Sequence, residues 1–215
     1  MYCKNYLWMF ALTCCLSACQ KEPDWEEMDN EYIVYTQHDE AFNAEVHQYF
    51  FVPDSVLLIG DSEEPVYLNG MDAENIISEV VRQMEEAGYT RVGKKEEADL
   101  GIQLSYVSCT TYFAGYASSP YWWWGYPGYW DPFYWGGYWG GWGYTYPVSY
   151  SYSENSLLGE MVDLSTQEGE DSRLPVVWNM YINGDVSGYR RWDCSRMLRG
   201  IDRAFGQSVY LNKQD

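Results

Sequence analysis

ADLGIQLSYVSCTTYF, residues 98–113, is the stretch from which the fold can be read. Leu100, Ile102, Leu104 and Tyr106 alternate with Gly101, Gln103 and Ser105, a period of two that predicts a strand with one buried face. The strand runs directly into a stretch of different composition. Residues 112–152 include YWWWGYPGYWDPFYWGGYWGGWGYTYP and carry a single charged side chain, Asp131. Glycines and prolines break every periodicity there, so the rings have no core of their own to enter. On the far side SLLGEMVDLS, residues 156–165, has the character of a returning strand. The expectation is therefore an antiparallel pair with a Gly/Tyr/Trp-rich insertion at its hairpin tip.

Working outward, residues 31–36 (EYIVYT) and 46–52 (VHQYFFV) are rich in β-branched and aromatic side chains and predict two neighbouring strands. Residues 54–70 cross from them to a helix. Asp72 is its expected N-cap, and Ala73, Ile76, Ile77, Val80, Val81, Met84 and Ala87 form one stripe. Gly88 follows as the C′ residue. At about 1.5–3 kcal/mol for each buried branched side chain, that stripe must lie on a sheet. After 156–165, a turn and then PVVWNMYINGDVS, residues 175–187, predict a second hairpin. A last helix is expected from near Asp193, with Cys194, Met197, Leu198, Ile201, Ala204 and Phe205 on its inner face and Gly206 at its end. The resulting fold class is a two-layer α+β domain of order ββαβββα. It has a mostly antiparallel sheet of about five strands and both helices on one face. Ile76, Val80, Leu104, Val162, Val177, Leu198 and Ile201 are its expected core.

The first 18 residues predict a signal peptide: Lys4, then the apolar run LWMFALTCCL, then Leu16-Ser17-Ala18 before Cys19. The run is too short for a permanent membrane-spanning helix. The spacing resembles a bacterial lipoprotein signal, which implies lipidation at Cys19 and attachment to a membrane by acyl chains. Residues 19–30 then form an acidic tether with Glu22, Asp24, Glu26, Glu27 and Asp29, and the single domain occupies 31–215. The tether also resembles the export signal of Bacteroidota lipoproteins and implies an outer-membrane protein exposed at the cell surface. A net charge of −19 opposes nucleic acid and anionic surfaces as partners.

No catalytic constellation is visible. His38 and His47 are the two histidines, and no cysteine or acidic residue is spaced to complete a metal shell with them, so neither a metal nor a cofactor is expected. Ser156, Ser187 and Ser195 lack an elbow motif and a partnered histidine. Asp61, Glu63, Glu64 and Asp163 read as solvated acids, and Trp178 as core packing. Cys109 and Cys194, outside the cytoplasm, are either a disulfide or two separate thiols. The candidate interaction surface is the tryptophan set of the insertion: Trp122, Trp123, Trp124, Trp130, Trp135, Trp139 and Trp142. Such rings stack on sugars, settle at membrane interfaces or self-associate. They also suit the bland alternative of a low-complexity loop packed on itself.

Residues 32–57, the sequence EEAGYTRV followed by EEADLGIQLSY, the hairpin from LLGEMVDLS to PVVWNMYINGDV, and the closing FGQSVYL occur in an order that resembles bacterial envelope lipoproteins of domain-of-unknown-function family 4136. The resemblance spans nearly all of the chain beyond Cys19. It implies a small α/β envelope domain with Gly- and Tyr-rich sequence between its third and fourth strands, and brings no established reaction or ligand. The expected function is that of a non-enzymatic outer-membrane lipoprotein, structural or binding, with glycan or another envelope protein as partner. A glycan hydrolase is the competing expectation from another class.

Overall fold

The computed structural model describes residues 34–59, 66–108, 142–144, 155–165, 174–183 and 194–213, all within the compact unit that runs from Tyr32 to Asp215. In chain order the strands are β1 (Val34–His38), β2 (Tyr49–Phe51), β3 (Val56–Ile59) and β4 (Val66–Leu68). Helix α1 (Met71–Glu86) follows, and then β5 (Thr90–Arg91), β6 (Leu100–Val107), β7 (Trp142–Tyr144), β8 (Ser156–Asp163), β9 (Leu174–Ile182) and α2 (Cys194–Gln207). Among the described residues these nine strand segments join one mixed sheet, whose main path is β1-β9-β8-β6-β2-β5.

The centre of the sheet is the pair expected from sequence. β6 and β8 run antiparallel from Leu100↔Asp163 to Val107↔Ser156, and β8 continues antiparallel to β9 with a bulge at Met161/Val162. Around that centre the sheet departs from a mostly antiparallel, five-stranded one. β2 and β3 both run parallel to β6, because α1 serves as a crossover that returns the chain to its starting end. β2 and β3 are two pieces of one row: Phe51 faces Gly101 and Leu57 faces Ser105. Five residues including Pro53, which has no N–H to donate, stand against three on β6. The link expected between the second strand and the helix, residues 54–70, contains β3 and β4, which pair antiparallel.

β1 and β2 are not neighbours. β1 pairs with β9, so three strands stand between the two, and the aromatic insertion is more than a hairpin tip. Its residues Trp142–Tyr144 pair in parallel with Leu174–Val176 on the side of β9 that β1 occupies.

Helix α1 begins one residue before the expected cap. Gly70, at φ 108°, is its N-cap without a side-chain bond, and Asp72 and Glu74 lie in the first turn, where a helix N-terminus favours negative charge. Ala73, Ile76, Ile77, Val80 and Met84 are buried, as the stripe predicts. Gly88 takes φ 97° just past the end, and the N–H of Tyr89 donates to Met84 O at 3.1 Å. In α2 the buried face is Met197, Gly200, Ile201, Ala204 and Phe205; Leu198 is half-buried, and Gly206 lies inside the last turn, not after it. Asp193 lies outside the described residues.

Both helices contribute to one apolar cluster with Leu100, Ile102, Leu104, Leu157, Met161, Met180 and Ile182, so they cover the same sheet face. Ile76, Val80, Leu104, Val177 and Ile201 lie in this core as expected, while Val162 is buried outside that cluster. Gly200 sets how closely α2 approaches: a Cβ there would stand 2.5 Å from Ile182 Cγ2. Replacing Gly200 by Leu is expected to destabilise the domain by about 1–3 kcal/mol through overpacking. Adding Ile182→Ala should recover part of that loss in a urea-denaturation double-mutant cycle, and purely additive effects would contradict the contact.

Candidate functional site

The alternation that places Leu100, Ile102, Leu104 and Tyr106 under the helices turns Gln103 and Ser105 to the other face, yet all eight residues of β6 and of β8 are buried. The expectation of a strand with one buried face is corrected on this point. Across four adjacent strands the register aligns Gln37, Asn179, Glu160 and Gln103 as successive opposite pairs. Opposite residues have Cβ atoms about 4.5–5.5 Å apart, so this is a transverse row of three amides and one carboxyl. Glu160 and Asn179 are 0% exposed and Gln103 is 5% exposed. One step along lie Tyr181, Leu158, Ser105 and Leu57, and at the end of the sheet Ser156 Oγ and Tyr181 Oη share a hydrogen bond of 2.9 Å.

Burial pushes the Glu160 carboxyl well above the usual carboxylate range. Ionising it there would strand a charge away from water, so the neutral acid, which both donates and accepts, is the form that fits the amide row. Ser105 Oγ is also buried, without a hydrogen-bond partner among the described residues. Sequence reasoning missed this row. The signal was available in Gln103 and Glu160 at inward-alternating positions of long strands, but polar residues at period two ordinarily mark the solvent side.

The remaining candidates are accounted for locally. His38 stacks on Tyr210 with ring centroids 3.6 Å apart, and His47 on Phe42 at 5.4 Å. Among the described residues no group of three or more His, Cys, Asp or Glu could hold a metal ion. Asp163 Oδ1 accepts from the N–H and Oγ of Ser165 and shapes the turn after β8. Trp178 is core: its Nε1 donates to Ser208 Oγ at 2.9 Å, and its ring lies 5.2 Å from Phe205. Ser208 Oγ also donates to Ala204 O and accepts from Tyr210 Oη, so FGQSVYL locks the end of α2 onto β9 and β1. Arg91, beside a shallow depression of 330 Å³ at the sheet edge, is paired with Asp54 at 2.7 Å.

Ser195 is exposed on α2. Cys194 opens that helix, with Sγ 3.7 Å from Asp72 O. Trp142 opens β7. Cys19, Asp61, Glu63, Glu64, Cys109, Ser187, Trp122, Trp123, Trp124, Trp130, Trp135 and Trp139 lie outside the described residues, as does any pairing of Cys109 with Cys194.

Residues 34–208 match the family model described as a domain of unknown function, DUF4136. The chain belongs to the DUF4136 family. A crystal structure of a DUF4136 protein from Bacteroides thetaiotaomicron is similar to it, with 47% identity and a TM-score of 0.78 over 86% of this chain and 100% of the other. A Xanthomonas campestris protein of the DUF330 family model, at 12% identity over 83% of this chain and 88% of its own, has a TM-score of 0.28, too low to bear on the fold. No curated protein matches. The DUF4136 match spans the helix-covered core and every strand that carries the polar row.

The row has a pH signature. The native state keeps the Glu160 proton above pH 4.5, where the unfolded chain has released it. The contribution of Glu160 to stability is thus fully present below that value and is lost as pH rises toward its folded-state pKa. In Glu160→Gln this loss should vanish, so the variant gains on the parent by up to about 1.4 kcal/mol per pH unit across that window. Parallel stability–pH curves from chemical denaturation would refute the assignment.

Proposed function

We propose that this DUF4136 protein is a non-catalytic lipoprotein of the outer membrane, anchored through Cys19, whose aromatic stretch 112–152 serves as a binding surface. The observation that carries the binding half is how firmly the stretch is tied to the sheet. Asn155 N donates to Val107 O at 2.7 Å and Tyr106 Oη to Asn155 Oδ1 at 2.9 Å, while Ser108 N and Oγ both donate to Ile59 O. Trp142–Tyr144 are fixed a third time, along β9. A connection held at both roots and at an internal strand is the usual support for a recognition loop on a rigid scaffold.

The chemistry of the stretch favours an uncharged ligand. Seven tryptophans and a single charged side chain suit the apolar faces of sugar rings, so a neutral glycan is the ligand class that fits best. The non-catalytic half is supported by the setting of Glu160. Its cross-strand neighbours are Asn179 and Gln103, both amides, whereas glycoside hydrolysis uses two facing carboxyl groups.

Two measurements test the proposal separately. Cys19→Ala should abolish incorporation of labelled fatty acid and leave an unprocessed precursor; labelling that persists would remove the anchor. On a glycan array the parent should bind neutral glycans, and replacing Trp122, Trp124, Trp130 and Trp135 by Ala should cost at least tenfold in affinity without lowering the unfolding midpoint. Undiminished binding by that variant would refute the ring surface.

A further inference from the structure

The outer side of the β2/β3 row is covered in two places, with a gap between them. β5 lies along β2 as far as Arg91 opposite Phe50, and β4 lies along β3 from Leu58 to Val56. Val92 N extends the first of these by one bond, to Phe50 O at 2.9 Å. Among the described residues no strand continues the edge beside residues 52–55, so the sheet has a notch there. Pro53 lies within it and has no N–H with which a ladder could be built. The 330 Å³ depression sits at this notch, lined by Phe51, Val52, Asp54, Arg91, Val92 and Gly93.

Arg91 is the group that the notch presents. Its Nη2 donates to Val52 O at 3.4 Å and to Asp54 Oδ1 at 2.7 Å, so the guanidinium stands where a further strand would bond. Among the described residues both of its side-chain bonds use that one nitrogen. A guanidinium carries five N–H donors, so Nε and Nη1 keep theirs to offer. The Asp54 side chain is 92% exposed and that of Arg91 34%. A pair this exposed is weak, and exchanging its carboxylate for another costs little. Beside the guanidinium the floor is Val52, buried, and Val92, half-buried. Gly93 places no side chain over it, and a Cβ there would meet nothing within 4 Å.

We propose that this notch is a binding site for a small organic monocarboxylate, with the carboxylate on Arg91 and the apolar body on Val52 and Val92. Asp54 already makes the polar contact that such a ligand makes, through a single bond. A ligand carboxylate can take two from the guanidinium fork, which is the stronger geometry. A volume of 330 Å³ is at the lower end of the range for small-molecule sites, so the ligand is small. It is also singly charged. The chain has a net charge of −19 and Asp54 competes for the same guanidinium, so a phosphate dianion is repelled more than a monocarboxylate. The site is independent of the anchor and of the aromatic stretch.

Titration of the isotope-labelled full chain with sodium hexanoate, followed by NMR, tests it. The Arg91 Nε–H and the backbone amides of Val92 and Gly93 should shift saturably, and 1-hexanol and inorganic phosphate should each bind more weakly by about fivefold or more. Arg91→Met should weaken hexanoate to a similar degree. Asp54→Asn, at an exposed position, removes the competing carboxylate and should tighten hexanoate by about threefold or more, a gain that a purely structural ion pair would not produce. Hexanoate affinity that is unchanged or weaker in Asp54→Asn would overturn the proposal, even if Arg91→Met failed to fold. So would 1-hexanol or phosphate binding as tightly as hexanoate, saturable shifts confined to other residues, or no saturable shift at all.

Discussion

The antiparallel ladder between β6 and β8 is the constraint on which the rest of the domain depends. Its eight register pairs hold two strands that are buried along their whole length on both faces. A strand buried on one face can slip with limited damage; here a one-residue slip would place Glu160 and Gln103 under the helices and Leu104 and Met161 in the polar row. Everything else is added to the edges of this pair. β9 and β1 extend it antiparallel on one side, and the β2/β3 row extends it parallel on the other.

The two faces are stabilised by different means. On the helix side the contribution is apolar burial, and it depends on two close approaches. Gly159 sits where a Cβ would stand 2.6 Å from Met180 Cε, and Gly200 brings α2 onto Ile182. On the other side Gln103, Glu160 and Asn179 are buried at a cost of order 1–3 kcal/mol for each group left unsatisfied, so polar partners must supply the compensation. A carboxyl at 0% exposure among amides is tolerable because it can shed its charge. The native state is then linked to pH through a residue that touches neither helix face nor solvent.

The small connections are equally determined by hydrogen bonds. Asp99 Oδ2 accepts from the N–H groups of both Gln48 and Tyr49, and Asp99 O accepts from Leu164, so one residue joins the start of β6 to β2 and to the end of β8. Lys213 N donates to Ala87 O, fastening the C-terminal residues to the end of α1. These contacts give structural reasons for the EEAD and FGQSVYL elements that mark the DUF4136 resemblance.

The sequence by itself determined the elements with a sustained period. Both amphipathic helices, the β6–β8 and β8–β9 pairings, most of the core and the role of Gly88 follow from local patterns of apolar residues and from the one backbone geometry that favours glycine. Tertiary structure alone decided the rest. The separation of β1 from β2, the parallel β2/β3 row and the pairing of β7 with β9 depend on contacts between residues far apart in the chain, and period two states which residues share a face but not which strand lies alongside. The polar row was hidden for the same reason. Gln37, Gln103, Glu160 and Asn179 are ordinary polar alternates within their own strands, and only the register of four strands brings them into one buried line.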